Sequence, residues 1–163
     1  MSDLLPPDID PKTPKIGIRM VSARNEAGTR TQVRVRDFAP VTDEPADKGG
    51  TDTGPTPLET ILVALVGCEG AIIHRCAKVM GFSYTGVDFE CSGRVDARGP
   101  RGVPGVRPYF ETVELTVTLY TDEPPERVER LKKNVEFRCP VMNLMRAAEV
   151  TVTAEWVTVP TAA

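Results

Sequence analysis

The chain has 163 residues, 40% of them hydrophobic and 26% charged, with a formal net charge of -3. That size suits one globular domain with a core built without metal or disulfide staples, and the lack of basic excess argues against a nucleic-acid partner. The start, MSDLLPPDIDPKTPK, has no basic region followed by an apolar run, and consecutive apolar residues fall well short of the ~18 of a membrane span, so a cytoplasmic protein with no membrane association is expected.

Residues 1–14 hold four of the 15 prolines and no apolar period, which predicts a flexible arm ahead of a domain over 15–163. KIGIRMVSAR (15–24) and RTQVRVRDF (30–38) alternate apolar and polar residues around the turn residues NEAG, the pattern of a β-hairpin. The stretch 40–55 reads as loop, rich in Pro, Gly and Asp. Thr56, Pro57 and Glu59 then form a helix-start signature, with Glu59 three residues after the capping threonine. The helix runs to Met80, is apolar over most of its circumference, and ends at Gly81, so it is expected to be largely buried.

A period-two strand follows over 83–97 through Val87, Phe89, Cys91 and Val95; the loop 97–108 separates it from a second strand, YFETVELTVTLYT. A helix that starts within Asp122–Pro125 and ends near Arg138, a short helix opened by Cys139-Pro140, and a final strand over 149–159 complete the chain. Helices and strands do not alternate strictly, which favours an α+β fold with antiparallel sheets over a doubly wound parallel one.

Four cysteines remain to be placed. Cys68 lies mid-helix on the apolar stripe, and Cys76 is eight residues on, about 12 Å along the axis, whereas a disulfide needs α-carbons within about 7 Å. No C-x-x-C or His-x-x-x-His spacing occurs, so no metal or other cofactor is expected. Cys91 faces Val87 and Phe89 and reads as packing. Cys139, ahead of a proline, is placed to cap a helix, where backbone N–H groups, the dipole and neighbouring Arg138 would favour its thiolate; it reads equally as helix punctuation. The lone His74 sits about 240° around the helix from Cys68, so a Cys-His nucleophile lacks its base.

The strings GGTDTGPTPLETILVALVGCEGAIIHRCA, GRVDARG and FRCPVMNLM resemble the OsmC/Ohr family of osmotically induced and organic hydroperoxide resistance proteins over about residues 30–159. The pattern Asp43-Glu44-Pro45, Gly49-Gly50, Asp52, Gly54-Pro55, Pro57, Glu59 and Cys68 is closest to its YhfA-like branch. The resemblance implies an intertwined α+β homodimer whose sheets wrap two long central helices. It also implies a two-cysteine peroxidase: Cys68 attacks an organic or hydrogen peroxide and becomes a sulfenic acid, Cys139 resolves it to a disulfide, and a dithiol such as dihydrolipoamide restores both thiols. An arginine held by a glutamate activates the attacking cysteine in the family. Arg24 and Arg36 both match that arginine in part, each reading alternatively as a solvated strand residue, and Glu59 is either the glutamate or only the capping acid. The competing readings are a non-enzymatic dimer that binds a small apolar or electrophilic ligand, its cysteines serving as packing, and a redox sensor.

Overall fold

The computed structural model describes Leu4, Pro6 and residues 9–161. The chain divides into two compact units, Asp8–Val63, and Met1–Pro7 together with Ala64–Ala163.

In the first unit, strands β1 (Ser22–Asn25), β2 (Thr31–Arg34) and β3 (Val41–Thr42) form an antiparallel sheet in the order β1-β2-β3. The expected hairpin is present. Asn25 closes it: its Oδ1 accepts from the Ala27 N–H (3.1 Å), and its Nδ2 donates to the carbonyls of Gly28 (3.0 Å) and Arg30 (3.2 Å). Strand β1 is shorter than the alternation of 15–24 predicts, because β2 has only four residues and pairs no further than Ser22 with Arg34. Beyond Arg34 the chain turns at Arg36 (φ 53°), so residues 15–21 find no partner strand here and Ile16, Ile18 and Met20 stay 79–86% exposed.

The loop over 40–55 is more ordered than its composition suggests. It contains β3 and a 3-10 turn, Ala46–Lys48, and it is organised around Asp43, which has no exposed surface. The Asp43 carboxylate accepts hydrogen bonds from the hydroxyls of Thr29 (2.7 Å), Thr51 (2.5 Å) and Thr53 (3.0 Å) and from the backbone N–H groups of Glu44 (2.8 Å), Thr51 (3.1 Å) and Thr53 (3.3 Å). The loop doubles back so closely that a Cβ on Gly50 would lie 1.7 Å from the Glu44 carbonyl oxygen, which explains a glycine there.

Helix α1 (Pro57–Met80) begins at a reciprocal capping box: the Thr56 hydroxyl accepts from the Glu59 N–H (3.2 Å), and the Glu59 carboxylate accepts from the Thr56 N–H (2.7 Å). It ends as expected at Gly81, in the left-handed conformation (φ 58°), with the Phe82 N–H bonded to the Ala77 carbonyl (2.9 Å).

The second unit, which holds α1 from Ala64 onward, contains strands β4 (Gly86–Arg94) and β5 (Thr112–Tyr120), helices α2 (Pro125–Arg138) and α3 (Pro140–Ala147), and strand β6 (Thr151–Val159). Strands β4 and β5 pair antiparallel, from Gly86 with Tyr120 to Arg94 with Thr112. The expectation of wholly antiparallel sheets is corrected at β6, which runs parallel to β5 from Thr112–Thr151 to Tyr120–Val159. Two helices intervene between β5 and β6, and a crossover of that length returns the chain to the end of the sheet from which β5 set out. Strand β5 is central, and Val113, Leu115, Val117 and Leu119 on one of its faces are at most 2% exposed. Each such side chain contributes about 1.5–3 kcal/mol by leaving water.

Helix α1 buries Leu65, Glu69, Ile72, Ile73, Cys76 and Ala77. The expectation that it is largely buried does not hold within one chain: 33% of its most apolar 18-residue window is buried. By length and composition alone it would suffice to cross a membrane, which a count of consecutive apolar residues misses because Glu69 and other polar residues interrupt the runs.

Candidate functional site

The two cysteines singled out by sequence meet in the second unit. Helix α2 stops at Arg138 because Cys139 adopts an extended conformation (φ -65°, ψ 110°) ahead of Pro140, whose ring disfavours a helical residue before it. Cys139 therefore serves two helices. Its N–H closes α2 on the Val135 carbonyl (2.9 Å), and its Sγ accepts from the Met142 N–H (3.5 Å) as the N-cap of α3. Asn143 fixes the junction further, donating from Nδ2 to the Cys139 carbonyl (2.8 Å).

The helix cap is as expected, but the thiol's ionisation is not. Cys139 has no exposed surface, and its thiol is pushed far above the ordinary thiol range, first by burial and next by the Glu69 carboxyl; Cys68 acts in the same direction, and only the Met142 N–H opposes them. One weak N–H contact at a helix end cannot offset removal of a thiolate from water beside a carboxyl group. Arg138, expected to help Cys139, acts instead on Cys76, whose thiol is still raised by burial. Cys68 is half-buried, so it is the more accessible member of the pair, and it is near enough to Cys139 to raise that thiol's pKa.

Glu69 was absent from the expected site residues. It has no exposed surface, and neither carboxyl oxygen has a partner in hydrogen-bond geometry. Burial raises its pKa, Glu136 adds to that rise, and the Cys139 thiol and Arg146 counter it. Glu69 favours the protonated form of the Cys139 thiol, and that thiol in turn favours the ionised form of Glu69, so the two buried groups act on each other's protonation. A sequence signal for Glu69 exists, since it continues the buried stripe four residues after Leu65 and three before Ile72, where an apolar residue would be expected.

The remaining expected residues lie in the Asp8–Val63 unit. Arg24 is exposed on β1, opposite Gln32. Arg36 is exposed in the turn after β2, its guanidinium 5.0 Å from the centre of the Phe38 ring. Glu59 forms the capping box, and its carboxyl is held below the ordinary range by Thr56. In the second unit His74 is exposed, while Cys91 is half-buried on β4 opposite Leu115 with its thiol raised by burial.

A family model described as OsmC-like protein matches residues 50–155, more than half of the chain. The chain belongs to the OsmC-like family. Solved structures share the fold at low identity. An OsmC-like protein from Mycoplasma pneumoniae is 16% identical with a TM-score of 0.71, over 90% of this chain and 99% of that one. An organic hydroperoxide resistance protein OsmC from Legionella pneumophila is 16% identical with a TM-score of 0.64, over 89% and 98%. The organic hydroperoxide resistance protein OhrB of Bacillus subtilis is 19% identical with a TM-score of 0.58, over 88% and 98%. No curated protein matches the sequence. Within this OsmC-like chain, Cys68, Glu69 and Cys139 all fall inside the matched span, whereas Arg24 and Arg36 precede it.

Proposed function

We propose that this OsmC-like protein is a two-cysteine, thiol-dependent peroxidase for small hydroperoxides, chiefly organic ones. The observation that carries the reading is the pairing of a half-buried Cys68 with a fully buried Cys139 whose thiol interacts with it. An accessible thiol meets the oxidant, and a shielded one waits for the oxidised sulfur. In the first step the Cys68 thiolate attacks the peroxide: an S–O bond forms, the O–O bond breaks, and the departing alkoxide takes up a proton to become the alcohol. In the second, the Cys139 sulfur attacks the Cys68 sulfenic acid; an S–S bond forms, the S–O bond breaks, and hydroxide leaves as water with the Cys139 proton. A small dithiol such as dihydrolipoamide then reduces the disulfide by two thiol-disulfide exchanges and is itself oxidised.

The family resemblance assigns activation of Cys68 to an arginine, with Arg24 and Arg36 as candidates and Glu59 as its acidic partner. Alanine at each arginine tests this, because loss of the activating charge moves Cys68 alkylation to higher pH. The exposed alternation of Ile16, Ile18 and Met20 supports a homodimer, since a second copy would cover it, and light scattering checks the mass. The deciding experiment is intact mass after one equivalent of cumene hydroperoxide. The expected product has lost two hydrogens. In Cys139→Ser that product is replaced by a gain of one oxygen, trapped by dimedone. An unchanged parental mass rejects the reading.

A further inference from the structure

The resolving step as drawn has an obstacle that the structure itself supplies. Cys139 must lose its proton to attack, yet it has no exposed surface from which water could take it. Its Met142 N–H contact, at 3.5 Å, is too long to stabilise a thiolate strongly. The side chain that acts most strongly on the thiol is Glu69, which is equally shielded and whose two oxygens have no hydrogen-bond partner. A buried carboxyl without partners costs stability and contributes little to packing that an apolar side chain would not, so its position beside the reacting thiol calls for another account.

We propose that Glu69 is the proton relay of the resolving step, accepting the Cys139 proton as that sulfur attacks Cys68 and returning it to the departing hydroxide. The proposal rests on the two-cysteine reading for the identity of the leaving group. Protons balance: one leaves Cys139, rests on a Glu69 oxygen, and ends in the water formed from the Cys68 hydroxyl, leaving Glu69 as it began. Burial raises the carboxyl's pKa, which makes it a better proton acceptor than an exposed carboxylate. The other charged groups that act on Glu69 are Glu136 of α2 and Arg146 of α3, which pair with each other at 3.3 Å, so their effects on it oppose.

The proton transfer is testable without peroxide. In a Cys91→Ser background, which removes the other half-buried thiol, one equivalent of 5,5'-dithiobis(2-nitrobenzoate) modifies Cys68 first and releases one thionitrobenzoate. Attack by Cys139 on that mixed disulfide then releases a second, and this leaving group needs no proton, so the second release isolates deprotonation of Cys139. Cys139→Ser should abolish it. Glu69→Gln, which keeps the side-chain shape, is expected to slow it by about 100-fold near neutral pH. Its rate should then climb steeply with pH where the parent's is flatter, and Glu69→Asp should restore part of the rate and the flatter profile. A Glu69→Gln protein that releases the second thionitrobenzoate at the parental rate overturns the proposal. So does an equal slowing in Gln and Asp variants with an unchanged pH profile, which is the mark of packing, and so does a parent that gives no second release. A parent that passes this test but forms no disulfide with cumene hydroperoxide keeps the relay and rejects the peroxidase reading.

Discussion

Two carboxylates in this chain are both without exposed surface, and their surroundings differ as much as two buried acids can. Asp43, in the Asp8–Val63 unit, is met by three threonine hydroxyls and three backbone N–H groups. Glu69, in the other unit, has neither oxygen in a hydrogen bond. The Asp43 carboxyl is held far below the ordinary range, first by Thr51 and then by Thr29, whereas that of Glu69 is raised by burial. Hydrogen bonds to the charged form substitute for water around Asp43, whereas around Glu69 the Cys139 thiol and Arg146 offset burial only in part. The first arrangement ties a loop together; the second leaves a proton site beside a thiol. Burial alone therefore separates neither structural from chemical acids. The donors around them do.

The sharpest break in this comparison is to weaken the satisfied acid. Asp43→Ala leaves three hydroxyls and three N–H groups facing a void, and the melting temperature should fall by about 10 °C or more, read by circular dichroism. Asp43→Asn should fall less, since an amide oxygen still accepts. The pH dependence has a definite sign. With the folded-state pKa depressed, Asp43 contributes stability that is present above the unfolded value of about 3.9 and is lost as pH falls toward the folded one. Parent and Asp43→Asn should therefore converge in stability under strong acid. A gap that persists unchanged there would mean that Asp43 acts through shape and not charge.

The same contrast marks what could be read from the residues themselves. Helix α1 was legible to its ends, because capping box, apolar period and terminal glycine are local signals that agree. The strand pair β4-β5, the helix pair α2-α3 and the cap at Cys139 were legible for the same reason. The parallel pairing of β6 was not, since its alternation looks alike in either direction and the choice is made by the intervening helices. Nor was the Asp43 loop, where six donors scattered over 29–53 converge without any periodic pattern. At the site, both cysteines are legible from their contexts, but the ionisation of Cys139 is not. A helix end and an adjacent arginine are visible in sequence, whereas the depth of burial and the direction in which Arg138 points are not. Glu69 is not legible as a site residue, because an acid on an apolar stripe ordinarily faces water and its depth of burial is set by the elements that pack on α1.

Weakening the unsatisfied acid should have the opposite consequence. Glu69→Gln removes no hydrogen bond, so it should cost little stability, and the pH dependence should change in a way set by the raised pKa. A carboxyl whose folded value lies above its unfolded one holds more protons in the native state over that interval. Its contribution is fully present below the unfolded value of about 4.3 and declines as pH rises through the folded value. Parent and variant should melt together near pH 4, and the variant should gain a few degrees on the parent by pH 8.5. If the variant loses stability at every pH instead, Glu69 has a partner that its surroundings do not show, and the contrast with Asp43 narrows.

Glu59 offers the smallest test and a third kind of acid, exposed but hydrogen-bonded to Thr56. Thr56→Ala removes one half of the capping box and should cost about 1 kcal/mol, measured by urea unfolding. Glu59→Gln retains an oxygen able to accept from the Thr56 N–H and should cost less than that. The pair separates the two roles considered for Glu59. If Glu59 only caps α1, Glu59→Gln changes stability slightly and leaves the pH dependence of Cys68 alkylation where it was. If it orients an activating arginine, alkylation moves to higher pH in Glu59→Gln while Thr56→Ala, which keeps the carboxylate, moves it less. A displaced alkylation profile with no loss of stability would transfer Glu59 from the group that Asp43 represents to the one that Glu69 does.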